Sequence, residues 1–268
     1  MLLQPAQHLR TLWKYRGFIR TSVVNDIRTR FCRSNMGGIW MIVQPLAQSA
    51  IFALVLSVIM KARLPGIEDT RTYAAYLLSG MLCWSLFSES VSRGLTLFLE
   101  SAPLIKKISF PVLTLPVISG LISLTNNAFL LLATVVVLAI LGIFPTSHIV
   151  MLPLLIGTTL GLGLAVGVFF GIINVFIRDL GVIIPIALQF AFWFCPIVYS
   201  PANLPEGFRE ILRYNPVAWL VGAYQDVLVF GNWPGPQALL PAFILGLGCW
   251  SLVLLLLRRC YGQMVDIL

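Results

Sequence analysis

The sequence predicts an all-α membrane protein with six transmembrane helices and an N-terminal amphipathic helix in the membrane interface. Re-entrant helices lie between spans five and six, and both termini are cytoplasmic. Three observations carry that expectation. Of the 268 residues, 59% are hydrophobic and only 10% are charged, where an ordinary soluble domain carries about 25% charged residues. Mean hydropathy is +0.93, and apolar residues come in runs of about 20, long enough to cross a hydrocarbon core as helices. Lys and Arg are also divided unequally between alternate loops. A soluble enzyme, a disordered chain and a disulfide-stapled secreted domain are excluded.

Residues 1–38 form a polar, basic N-terminal segment, and 39–268 form one membrane domain. Within residues 9–31, Ile19, Val23, Ile27 and Phe31 recur at fourfold spacing, with Leu12 and Trp13 before them. Basic side chains take the other faces. A basic amphipathic helix of this kind lies in the headgroup layer. The expected spans are 39–60, 73–98, 112–141, 149–177, 182–199 and 239–257. The fifth is the shortest and contains Pro185 and Pro196, so kinks are expected there. The apolar piece 217–230 holds Asp226 and is too short to span, which suits re-entrant or interfacial structure. Together with a short helix at 205–214, it points to a pore mouth or gate, since such backbone survives at membrane depth only under protein or beside water.

Charge sets the orientation. Thirteen Lys and Arg flank one side: seven before the first span, then Arg93, Lys106, Lys107, Arg178, Arg258 and Arg259. The other side has five, Lys61, Arg63, Arg71, Arg209 and Arg213, offset by Glu68, Asp69, Glu206, Glu210 and Asp226. The net charge of +8 is therefore read as topology rather than as nucleic-acid binding. Both ends on one side require an even number of spans.

Several chemistries find no support. None of the four lysines follows glycine, so there is no Walker A motif. The five cysteines form no CxxC pair, and His8 and His148 are far apart, so no metal site is expected. No D-x-D pair is present to hold a metal for sugar transfer, and no cleavable signal peptide is expected. The chain reads as non-catalytic.

Three features remain. The loop 100–111, ESAPLIKKISFP, can form a two-turn helix with Leu104, Ile105 and Ile108 on one face. That face needs a covering surface, so the loop is either a docking element or a bare connector. Glu89 and Arg93 lie i, i+4 inside the second span and fit a structural pair near its cytoplasmic end. In QFAFWFCPIVYSP, Phe190, Trp193, Phe194 and Ile197 share one helical face, with Phe192 and Tyr199 on another. Such a face stacks on sugar rings or meets lipid, and periodicity alone does not choose.

Taken in order, NDIRTRFCRSNMGGIWMIVQPL (25–46), PLIKKISFP (103–111), RDL (178–180), CPIVYS (195–200) and NP (215–216) resemble the permease subunit of type-2 ABC exporters for O-antigen, capsular polysaccharide or teichoic acid. Phe31 and Cys32–Arg33 depart from that pattern. The resemblance covers nearly the whole chain. It implies a multi-pass permease of the bacterial cytoplasmic (inner) membrane that works as a homodimer with two copies of a cytoplasmic ABC ATPase. ATP and Mg would sit on that partner, and this chain would bind no cofactor. A polysaccharide on an undecaprenyl-type lipid would cross between the protomers. Leu104, Ile105, Lys106, Lys107 and Ile108 would form the coupling helix that docks on the ATPase. Phe190, Trp193, Phe194 and Tyr199 would be candidates for the channel lining, and Asn215, Pro216, Trp219 and Tyr224 for the gate. We add Arg28, Arg30 and Arg33 as candidate contacts for the lipid pyrophosphate, because Arg forks match phosphate oxygens; ordinary headgroup binding explains them equally. The alternatives are a type-2 ABC permease for a small lipid or drug and, more remotely, an ion-coupled transporter. The latter would need ionisable groups near the midplane, for which only Glu89 and Asp226 come close.

Overall fold

The computed structural model describes residues 13–33, 40–54, 70–107, 111–144 and 147–268. These form ten α-helices, and no strand occurs among them. In chain order they are α1 (Arg16–Arg33), α2 (Trp40–Leu54), α3 (Thr70–Glu100), α4 (Ala102–Lys107) and α5 (Thr114–Ile140). Then follow α6 (Leu152–Phe176), α7 (Leu180–Trp193), α8 (Glu206–Tyr214), α9 (Pro216–Gln225) and α10 (Pro236–Ile267). A 3₁₀ turn (Ser147–Met151) leads into α6, and a π-helical turn (Asp226–Phe230) continues α9.

Three described helices are long and apolar enough to cross a membrane: Thr114–Ile140, Ser147–Phe176 and Pro236–Ile267. The expected second span is α3, whose 31 residues reach about 46 Å. It falls outside that apolar set because its serines, Glu89 and Arg93 dilute it. Its neighbours supply the reason: α2, α5, α6, α7 and α9 all pack on α3, so little of it needs to match lipid. Of the first expected span, 40–54 is helical and 55–60 lies outside the described residues. The fifth expected span does not run to residue 199. α7 stops at Trp193 after 14 residues, roughly 21 Å, and the chain turns through Cys195 and Pro196.

Helix ends follow local chemistry. α5 closes on Gly142, whose φ of 79° only glycine adopts readily, and Ile143 N–H returns to the Leu138 carbonyl at 2.9 Å. Asn215 caps α9, its Oδ1 accepting from Val217 N–H at 3.0 Å, and Pro216 takes the first helical position. The π-turn ends on Gly231 at φ 62°.

The tightest seam joins α3 to α6. A Cβ at Gly167 would lie 2.5 Å from the Val91 carbonyl oxygen, and one at Gly94 would lie 2.6 Å from the Gly167 carbonyl carbon. Gly163 meets Ser90, and Gly171 meets the Gly94 carbonyl. The run Gly163, Gly167, Gly171 is a small-xxx-small stripe that lets the backbones touch, as membrane helices do in the absence of a hydrophobic drive. Asparagines add interhelical bonds: Asn127 Nδ2 donates to Leu82 O and Asn174 Nδ2 to Leu95 O, both at 3.1 Å.

Two apolar cores result. The larger holds α3, α6 and α9 around the fully buried Leu77, Leu82, Leu155 and Tyr224. The smaller gathers Phe98, Ile105, Val253 and Met264 at one end of the bundle. Tyr15 and Leu268, from opposite ends of the described chain, both pack on it. α1 lies along α5, with Ile19 buried and Val23 and Ile27 half-buried. Part of its apolar stripe thus meets protein, while Trp13, Phe18 and Val24 stay exposed.

Candidate functional site

Two prolines and a run of aromatics shape the region around α7. Pro185 sits inside the helix and Pro196 lies beyond its end. The carbonyls freed by the turn at 194–199 are met by side chains from other elements. Tyr73 Oη donates to Val198 O at 2.9 Å. Tyr76 Oη reaches Pro196 O at 2.9 Å and Tyr199 O at 3.1 Å. Gln225 Nε2 donates to Pro196 O and Asn215 Nδ2 to Phe194 O, each at 2.9 Å. Backbone that leaves a helix needs such partners for the carbonyls it frees.

Between α2, α3 and α7 runs a groove of about 760 Å³. α2 contributes Gln44 and Gln48 to its wall. α3 presents Met81, Trp84, Ser85, Ser88, Glu89 and Ser92, a single stripe at three- and four-residue spacing. α7 closes it with Pro185, Leu188, Gln189, Phe192 and Trp193. Phe192 meets Trp84 edge-on with ring centroids 5.7 Å apart, and Trp193 packs on Phe192 at 5.5 Å. Glu89 is held from two sides: Arg93 Nε donates to its Oε1 at 2.7 Å, and Asn126 Nδ2 of α5 donates to the same oxygen. Amides, hydroxyls and a carboxylate beside aromatic faces offer hydrogen bonds and stacking together, the combination that binds sugars.

Two further cavities lie near the end of α7. Trp193, Phe194, Tyr199, Leu204, Phe208 and Leu212 enclose a cleft of about 230 Å³. Trp193 borders both this cleft and the groove, so the two adjoin along α7. A separate pocket of about 560 Å³ is bordered by Tyr76, Arg209, Arg213, Trp219, Gln225 and Asp226.

The residues singled out from sequence fare differently. Trp193 lines the groove, whereas Phe194 and Tyr199 line only the small cleft, and Phe190, 67% exposed, lines none of the three cavities. The shared face ends where α7 ends, and Ile197 is fully buried in the turn beyond. Phe192, assigned to another side, is a groove residue. The two glutamines of α2, Gln189 and the serine stripe of α3 were missed. Their signal was polar residues at helical spacing inside apolar spans, overshadowed by the aromatics.

α4 forms as expected, but Leu104 and Ile105 do not share a face. Leu104 is exposed, while Ile105 is buried in the smaller core against α3 and α10. Consecutive helical positions are about 100° apart, which separates them. Lys106 is exposed; the Lys107 side chain and Ile108 lie outside the described residues. Arg28 is exposed, and the side chains of Arg30 and Arg33 lie outside the described residues. Of the gate candidates, Trp219 borders the 560 Å³ pocket and donates its Nε1–H to Arg213 O at 2.9 Å. Asn215 and Pro216 form the start of α9, and Tyr224 is fully buried.

The chain is similar to the O-antigen export system permease protein RfbA of Myxococcus xanthus, 27% identical over 87% of this chain and 88% of that one. It is 26% identical to an RfbA of Klebsiella pneumoniae over 77% of this chain and 78% of the relative. The polysialic acid transport protein KpsM of Escherichia coli is 22% identical over 78% of this chain and 80% of its own. The family described as ABC-2 type transporter matches residues 19–229, which takes in α2, α3, α7 and the whole groove. The chain belongs to the ABC-2 type transporter family.

Proposed function

We propose that this chain is the membrane permease subunit of an ATP-driven exporter that moves a lipid-linked polysaccharide across the bacterial cytoplasmic membrane. The groove between α2, α3 and α7 carries the reading, because its polar and aromatic lining suits a sliding glycan and lies inside the family match. Stacking tolerates changes of register, so a polymer bound this way can move. A second copy of the chain closes the groove into a channel, its walls being exposed α2 and α7 residues such as Gln44, Gln48 and Trp193. Six crossings return both ends to one side, in keeping with Tyr15 and Leu268 on one core. The positive-inside bias makes that side cytoplasmic. α8, α9 and the π-turn then form a re-entrant gate on the opposite side.

Energy arrives from a separate ABC ATPase docked at α4. Leu104 offers the apolar anchor, and Ile105 roots α4 in the bundle so that movement passes to α3 and α10. Leu104→Asp therefore uncouples ATP hydrolysis from export with the melting temperature unchanged. Ile105→Asp buries a charge and lowers folded yield instead.

The decisive experiment purifies the chain with its ATPase, reconstitutes both in vesicles and follows labelled lipid-linked glycan. Glycan movement dependent on ATP, impaired by Trp193→Ala without loss of assembly, is the expected result. ATP hydrolysis that leaves glycan unmoved would shift the assignment to a small lipid or drug. Failure to assemble with any ATPase would remove it.

A further inference from the structure

We propose that the 560 Å³ pocket bordered by α8, α9 and the π-turn binds a zwitterionic headgroup, a phosphate ester that carries a primary ammonium. The inference goes beyond the permease reading and needs only that the chain sits in a membrane. The pocket's volume lies within the roughly 300–1,000 Å³ of small-ligand sites. Leu212, Ala218, Ala223 and Ala238 give it apolar walls, while Arg209, Arg213 and Asp226 bring both signs of charge to one cavity.

Arg209 and Arg213 stand i, i+4 on α8, so they share one face, and both border the pocket. Arg209 is set in place by its Nη2, which donates to the Ala202 and Leu204 carbonyls, each at 3.2 Å. Like charges one turn apart repel. An anion between them relieves that repulsion, and guanidinium forks match phosphate oxygens. Asp226 borders the pocket from the π-turn, whose end is pinned by Asn232 N–H donating to Asp226 O at 2.9 Å. Among the described residues no ion pair joins Asp226 to either Arg, although all three border the same cavity. Opposite charges that share a cavity without neutralising one another leave room for a ligand that carries both. Its phosphate meets the two guanidinium groups and its ammonium meets the carboxylate. Trp219 and Phe230 also border the pocket, and aromatic faces attract an ammonium. A phosphate without the ammonium would face Asp226 uncompensated. On the orientation proposed above, α8 lies at the outer leaflet, where lipid headgroups supply both charges.

The test uses the full chain purified in detergent, with binding of short-chain lipids followed by native mass spectrometry. Dihexanoyl phosphatidylethanolamine should bind saturably and about tenfold tighter than dihexanoyl phosphatidylglycerol, the scale of one hydrogen bond to a charged group. Equal affinities would overturn the proposal. Arg213→Gln should weaken both lipids by about tenfold with the lipid-free melting temperature unchanged; undiminished binding would put the lipid elsewhere and sink the site. Asp226→Asn should erase the preference while phosphatidylglycerol still binds, which also shows the variant to be folded. A preference that survives Asp226→Asn would overturn the zwitterion assignment. Free phosphoethanolamine separates the two sources of this chemistry. Displacement of the lipid would make the headgroup a sufficient ligand, and lipid binding without displacement would make the membrane lipid the occupant; each supports the site. Binding is read without transport, so failure of the permease reading would leave this result standing.

Discussion

The two sides of α3 both carry small polar residues and meet opposite fates. Ser90, Val91 and Gly94 face α6 and are sealed, with backbone against backbone. Ser85, Ser88, Glu89 and Ser92 face the groove and stay open. Small polar residues serve both sides, but for different reasons. Toward α6 their small size lets the helices approach; toward α7 their hydrogen-bonding groups remain available. The partner makes the difference. α6 supplies glycines at four-residue spacing, whereas α7 supplies large rings and a proline, so it cannot close on α3. The groove side is held by side-chain bonds to the turn beyond α7 instead of by contact along its length.

Gly167→Val should break the sealed side outright. Its Cβ would meet Val91 backbone atoms that cannot rotate away, so the cost should exceed the roughly 1–3 kcal/mol of ordinary overpacking. Loss of monodisperse protein in detergent is the expected readout; a normal elution profile would show the seam to be looser than described. Tyr76→Phe should weaken the open side by about 0.5–1.5 kcal/mol, the net worth of a hydrogen bond, because it removes the donor shared by the Pro196 and Tyr199 carbonyls while Gln225 still meets Pro196 O. A lowered melting temperature with α6 protected in hydrogen exchange would confine the damage to the groove side. Ser88→Leu should shift stability by less than about 0.5 kcal/mol, because its neighbourhood is open, yet slow glycan passage through a narrowed groove. Unchanged passage would place the path elsewhere. Gly157→Ala should disturb neither side. Nothing lies within 4 Å of its added Cβ, and the helix gains up to about 1 kcal/mol in propensity. Set beside Gly167→Val, it separates glycines that pack from glycines that merely occur.

Much of this was legible because it is local. Glu89 and Arg93 pair as their i, i+4 spacing requires. The short helix α4, the cap at Asn215 and the proline at the first position of α9 also follow from neighbouring residues. The second partner of Glu89 was not legible, since Asn126 stands 37 positions away on α5. Nor was the stop of α7 at Trp193. Hydropathy continues through Ile197 and Val198, and only the waiting donors of Tyr73, Tyr76, Gln225 and Asn215 make a turn there affordable. The glycine stripe of α6 went unread, and its partner on α3 is fixed only by the fold.

The sequence by itself determined the apolar, helical character of the chain, because hydrophobic run length and capping act over a few residues. It also marked 100–111 as able to form a two-turn helix. The tertiary structure alone decided which face of each helix closes and which stays open. Closure depends on whether two surfaces distant in sequence match in shape. That match placed Ile105 in the core, Leu104 at the surface, and Gln44, Glu89 and Trp193 around one groove.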